Sequence, residues 1–327
     1  LKRVQSSSTA RRLAKGLVVL LVLGHGIARA GEAATPALAA PPVSSTVVSL
    51  DDDGWLLATD PRNVRPKEKW FETPRPEAQP TKVPWIIQDA FPAYHGVAWY
   101  WREFDASPNP HAGRRYLLRF WAVDYRAEVW LNGTRVGEHE GGETPFVLDV
   151  TDAIRTGPNK KNLLAVRVLN PTHERIDGIV LGETPKQARV IPYHAGAAYN
   201  HGGITGSVEL PATPAVRVED LFVHADPKTG VIKIQANQRN ATKTAVRGRL
   251  EFTVAPAANG ETLRAAAVER ELAPGDTLVE AEMKIDQPRL WELNDPFLYR
   301  VTARVGMESS FAERKATYDE RSVRCGF

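Results

Sequence analysis

Residues 170–206 hold the densest set of side chains able to do chemistry. Asn170, Asp177, Glu183, His194, Tyr199, Asn200 and His201 fall there together with three close glycines, Gly202, Gly203 and Gly206. A carboxylate accepts and an amide both accepts and donates in fixed geometry, and a tyrosine ring offers a face for stacking. A polar stretch this long with few strand signals is either functional or without fixed structure in a compact domain. Asp177, Tyr199, Asn200 and His201 are the candidate ligand-binding residues. The alternative for the same four is that they fix the loop or a domain interface. His194 and His201 lie seven apart with Asp177 nearby, but no tight His-x₃-His or Cys pair accompanies them, so no metal and no cofactor is expected.

These residues need a scaffold, and the flanking sequence supplies strands. Val97-Ala98-Trp99-Tyr100-Trp101-Arg102-Glu103-Phe104 and Arg115–Val123 are rich in β-formers. Ala127–Leu131 runs into Asn132-Gly133 and on to Thr134–Gly137. Asn-Gly between alternating runs is a strong hairpin signal because both residues tolerate positive φ. Phe146–Val150 and Leu163–Val168 add two more strands, and no window of helical period interrupts them. Between 47 and 95, Pro61, Pro66, Pro74, Pro76, Pro80, Pro84 and Pro92 predict loops and edge strands, with Trp55, Trp70 and Trp85 covering apolar surface. Trp99, Trp101, Trp121 and Trp130 alternate along strands and are assigned to the core. Glu138, His139 and Glu140 are assigned to a solvated turn.

Thr213-Pro214 marks a boundary. Beyond it short strands recur about every ten residues: 216–225, 231–238, 246–254, 262–272, 277–285, 298–305 and 311–318. Seven short strands fit an immunoglobulin-like sandwich, without the disulfide of antibody domains. The fold class is therefore all-β: a jelly-roll sandwich over 47–212 followed by an immunoglobulin-like sandwich over 213–327.

The first 30 residues differ in kind. They carry six of the 42 basic residues, Lys2, Arg3, Arg11, Arg12, Lys15 and Arg29, and none of the 39 acidic ones. An apolar core, Leu17–Leu23, follows the basic region, and Ala28-Arg29-Ala30 matches a cleavage site, so 1–30 is expected to be a secretory signal and 31–46 an Ala/Pro-rich linker. The core is shorter than the ~20 residues that cross a bilayer. The exported remainder is slightly acidic, which excludes a nucleic-acid partner. One cysteine, Cys325, permits no disulfide within the chain and is expected to be a small buried hydrophobe.

Several segments together resemble glycoside hydrolase family 2, the β-galactosidases, β-glucuronidases and β-mannosidases. They are Trp99–Phe104, Glu128-Val129-Trp130-Leu131-Asn132-Gly133, Val136–Gly142, Thr144-Pro145-Phe146 with Leu148–Thr151, Pro158-Asn159 leading to Leu164–Val168, and Gly202-Gly203-Ile204 with Val208-Glu209-Leu210. Pro288-Arg289-Leu290-Trp291 with Asp295–Tyr299 resembles the mark of the family's immunoglobulin-like domain, and Arg324–Phe327 its junction with a catalytic (β/α)₈ barrel. The resemblance implies retaining hydrolysis of β-glycosides, a carbohydrate partner, and a role for the 170–206 loop at the rim of a sugar pocket. It places the acid/base and nucleophile glutamates in the barrel. Retaining hydrolysis needs two carboxyl groups about 5–5.5 Å apart, and the acid/base residue of the family follows an Asn. No Asn-Glu dipeptide occurs here, so no catalytic residue is assigned. The expectation is the non-catalytic part of an exported glycosidase that braces a barrel. The alternative is a free-standing carbohydrate-binding or structural module.

Overall fold

The computed structural model describes residues 46–64, 68–111, 113–185, 200–307 and 318–327. Residues 1–30, read above as a signal, nearly all of the 31–46 segment, His194 and Tyr199 lie outside the described residues.

The first sandwich comprises β1 (Thr46–Ser49), β2 (Asp52–Thr59), β3 (Gln79–Val83), β4 (Gly96–Asp105), β5 (Arg115–Phe120), β6 (Arg126–Leu131), β7 (Thr134–Glu140), β8 (Phe146–Asp149), β9 (Lys161–Asn170) and β10 (Val208–Thr213). A four-stranded sheet runs β1-β10-β5-β8 and a six-stranded sheet β3-β2-β4-β9-β6-β7. Strand alternation sorts the side chains between two apolar layers. In β4, Ala98 and Tyr100 point between the sheets, while Val97, Trp99 and Trp101 point to the other face of the six-stranded sheet. Trp70 and Ile179, from the connections after β2 and β9, bury that second face. Double coverage explains why β4 reads as a near-continuous apolar run: Gly96 to Trp101 are all buried.

Asn132 and Gly133 take φ of 52° and 82° at the β6–β7 turn, as the Asn-Gly pair predicts. Three sequence readings are corrected. β2 lies between β3 and β4 rather than at an edge, and Trp55 is fully buried; the proline-bearing β3 takes the edge, where Pro80 removes no needed donor. Glu138, His139 and Glu140 are in β7, not a turn. Trp121 is 47 % exposed, just past the end of β5, rather than in the core.

The second sandwich contains β11 (Val216–Asp226), β12 (Val231–Asn240), β13 (Val246–Pro256), β14 (Arg264–Leu272), β15 (Gly275–Lys284), β16 (Trp291–Glu292), β17 (Asp295–Pro296), β18 (Tyr299–Met307) and β19 (Tyr318–Cys325). Sheets β11-β12-β15 and β14-β13-β18-β19 face each other, and β16-β17 is a small separate hairpin. The core alternates strictly: Ile232, Ile234 and Ala236 of β12 meet Leu250, Phe252 and Val254 of β13. The last described strand is Tyr318–Cys325, whereas the strand read over 311–318 falls on residues outside the description apart from Tyr318. Cys325 is partly buried at the edge of this core, and burial pushes its thiol up.

Two side chains brace the junction of the sandwiches, Asn109 within the first and Arg115 across to the second. Asn109 Nδ2 donates to Arg115 O at 2.8 Å and Thr213 O at 3.1 Å. Arg115 Nη2 reaches Ala241 O at 2.5 Å.

Candidate functional site

β9 ends at Asn170, and its amide organises the described edge of the 170–206 stretch. Asn170 Nδ2 donates to Asn200 Oδ1 at 2.9 Å. Its Oδ1 accepts from Gln88 Nε2 at 3.0 Å and lies 2.9 Å from His95 Nδ1. An amide oxygen only accepts, so Nδ1 of His95 carries the proton in this arrangement. Asn200 Nδ2, 3.3 Å from the same His95 nitrogen, is then a donor facing a donor. Its hydrogen bond goes instead to Pro171 O at 2.6 Å. Gln88 also donates to Tyr94 O at 2.7 Å and accepts from Gly202 N at 3.2 Å.

Asn170 is fully buried and Asn200 nearly so, whereas His95 and His201 are exposed. The network is a buried amide floor with histidines at its surface. Glycine makes the closeness possible. A Cβ on Gly202 would stand 2.3 Å from Asn170 Cβ, and one on Gly203 would stand 2.7 Å from Trp85 O. Beside the floor, Tyr94 donates to Val97 O at 2.6 Å. Burial, with the Asp60 carboxylate nearby, holds its phenol at about 12, so it stays protonated.

Asp177 belongs to a different arrangement. Arg167 of β9 is 1 % exposed at its side chain and forms ion pairs with Asp177 at 2.5 Å and Glu128 at 2.7 Å. It also donates to Asn63 Oδ1 at 2.6 Å, and Asn63 Nδ2 donates to Asp177 Oδ1 at 3.1 Å. Glu128 stands directly across from Arg167 in the β6–β9 register. Removing a charge from water is costly unless partners surround it, and here two carboxylates and an amide do so. Asp177 itself has φ of 52°, a left-handed conformation that Asp tolerates better than most residues. Its side chain is 8 % exposed, so it acts as a counter-ion beneath the surface.

Of the four candidates, then, the structure puts Asn200 in the amide floor, His201 exposed beside it and Asp177 in the arginine cluster; Tyr199 lies outside the described residues. Gln88 and His95, 82 and 75 residues from Asn170, complete the floor and gave no sequence signal. Among the described residues no group of three or more His, Cys, Asp or Glu side chains is arranged to hold a metal ion.

Comparison with protein families matches residues 48–214 to the sugar binding domain of glycosyl hydrolases family 2 and residues 216–327 to a second family 2 domain. The chain belongs to glycoside hydrolase family 2. Among its relatives, the β-galactosidase of Thermoanaerobacter pseudethanolicus is 27 % identical over 67 % of this chain and 27 % of its own length. The β-glucuronidase of Paenibacillus borealis is 30 % identical over 53 % of this chain and 30 % of its own. The solved β-glucuronidase 2 of Bacteroides uniformis, a calcium-binding mutant, shares the fold with a TM-score of 0.68 at 20 % identity, over 86 % of this chain and 33 % of that one. This chain thus spans about a third of the length of these relatives.

Proposed function

We propose that the chain is the non-catalytic amino-terminal part of an exported family 2 glycosidase acting on a β-galactoside or β-glucuronide. The observation that carries this is the two family domains matched in series on a chain about a third as long as its relatives. The first sandwich shapes one wall of the sugar pocket, and both brace a catalytic (β/α)₈ barrel supplied by the rest of the enzyme. His201 stands exposed at that wall and Asn200 supports it from the buried floor; the sequence assigns Tyr199 to the same group. Asp177 contributes from below by anchoring the segment after β9. The basic, apolar and small-residue sequence of residues 1–30 supports export.

The test is hydrolysis of a panel of aryl β-glycosides by the mature chain and by a protein in which a family 2 barrel follows Phe327. Turnover is expected only from the longer protein, with KM raised by Asn200→Ala. Turnover by the mature chain alone, abolished by changing one of its carboxylates, would overturn the assignment. Retention of the chain in the cytoplasm when residues 1–30 are present would overturn export.

A further inference from the structure

Trp85 and Trp121 are the exposed tryptophans of the first sandwich. They are 42 % and 47 % exposed, while Trp55, Trp70, Trp99, Trp101 and Trp130 are buried; Trp291, also 47 % exposed, belongs to the second sandwich. Both are held against the same segment. Trp85 N donates to Ile204 O at 2.8 Å, and Trp121 N donates to Ser207 O at 2.9 Å. Their anchor points are three residues apart, at most about 10 Å of chain. Glycine permits this approach on both sides. A Cβ on Gly203 would meet Trp85 O at 2.7 Å, and one on Gly206 would meet Ala122 N at 2.5 Å. Thr205, between the two anchor points, is exposed.

Each ring also carries a cation. Lys82 Nζ sits 3.9 Å from the Trp85 ring centroid, and the Arg119 guanidinium 5.7 Å from that of Trp121. Arg119 is neutralised by Glu209 at 3.2 Å. Lys82 is exposed and has no carboxylate within ion-pair distance among the described residues. The cation lies over one face of each ring; the remaining exposed ring surface suits the C–H face of a pyranose, and the Lys82 ammonium at its border suits a carboxylate on the sugar's edge. A protein partner fits less well, because the buried centres of protein interfaces are depleted in lysine.

We propose that Trp85 and Trp121, with Lys82, form a carbohydrate-binding surface that adjoins the Asn170–Asn200 floor through the 202–207 segment, and that it takes a short run of a carboxylate-bearing polysaccharide. Two stacked rings grip adjacent parts of the glycan, and the ammonium selects acidic sugars over neutral ones. The surface would hold the enzyme on polymeric substrate rather than take part in bond cleavage, and it does not depend on the catalytic assignment.

The experiment is affinity electrophoresis of the 327-residue chain in gels containing sodium polygalacturonate or neutral hydroxyethylcellulose. Retardation by polygalacturonate is expected, weakened about fivefold or more by Trp85→Ala or Trp121→Ala. Lys82→Ala is expected to weaken it and to flatten its dependence on salt. Circular dichroism of each variant checks that the fold is retained, and Trp85→Phe should restore part of the binding. Absence of retardation, or retardation unchanged by both tryptophan substitutions, overturns the site. Equal retardation by the neutral polymer, insensitive to Lys82→Ala, overturns the acidic ligand. A dimer in sedimentation that Trp121→Ala dissociates would assign the surface to a second copy of the chain and overturn the proposal as well.

Discussion

Arg167 occupies an environment that its place in a strand does not disclose. In Ala-Val-Arg-Val-Leu it looks like an outward-facing charge on a strand. In the fold that outward face is a second core, walled by Trp99, Trp101, Trp130 and Ile179. The guanidinium survives there because Glu128, Asp177 and Asn63 surround it. Arg167→Met is therefore expected to cost about 3–5 kcal/mol, since it strands the buried Asp177 carboxylate, while Glu128 keeps Arg135. Urea unfolding with a midpoint close to that of the parent chain would show that the cluster is dispensable. The same cluster explains why Asp177 looks like a ligand in the sequence: a carboxylate in a Gly-containing polar loop has the profile of a binding residue until its partner is seen.

At the scale of elements, the local patterns carried most of the strands, because apolar alternation and the Asn132-Gly133 turn are short-range signals. They could not show which apolar face had a second layer over it. β2 therefore read as peripheral through the prolines around it, and Trp121 read as core because it adjoins the apolar run of β5, although its parity is opposite to that of the inward-facing Tyr116, Leu118 and Phe120. The amide floor was half legible: Asn170 and Asn200 lie within the polar stretch, but Gln88 and His95 join them only through the folded sheet. The closure of that floor depends on the glycine run 202–206. Gly203 has φ of 136°, and a Cβ there would approach Trp85 O at 2.7 Å and the Tyr100 hydroxyl at 2.8 Å. Gly203→Ala is expected to cost about 1–3 kcal/mol through overpacking, with backbone strain added. Gly178→Ala is the control: its φ is 86° but nothing lies within 4 Å of the added carbon. Thermal unfolding should rank Gly203→Ala well below Gly178→Ala, and equal midpoints would mean that the three chains part without cost.

At the scale of the whole molecule, the junction of the two sandwiches holds a titratable device of its own. Asp319 opens β19 and is 8 % exposed, accepting a 2.8 Å hydrogen bond from Val218 N at the start of β11. Arg217 and Arg321 favour its charged form and Glu219 opposes it, yet burial outweighs them all and raises its carboxyl from 3.8 to about 6. The folded chain thus holds this proton more tightly than the unfolded chain does. Stability from this group is greatest below pH 4, falls as pH rises from about 4 to 6, and stays at its lower value above that. Because Glu138 and Asp226 are shifted down by their partners and work in the opposite direction, the total curve hides the effect. The difference between parent and variant isolates it. Asn at 319 keeps an acceptor for Val218 N but has no proton to lose. Asp319→Asn should match the parent chain near pH 4 and become the more stable of the two by neutral pH, by at most about 3 kcal/mol. Melting temperatures of both chains between pH 4 and pH 7 measure this directly. A difference that does not change across that range would place Asp319 in contact with water or fully paired with Arg217, and the junction would then be a salt bridge rather than a buried acid.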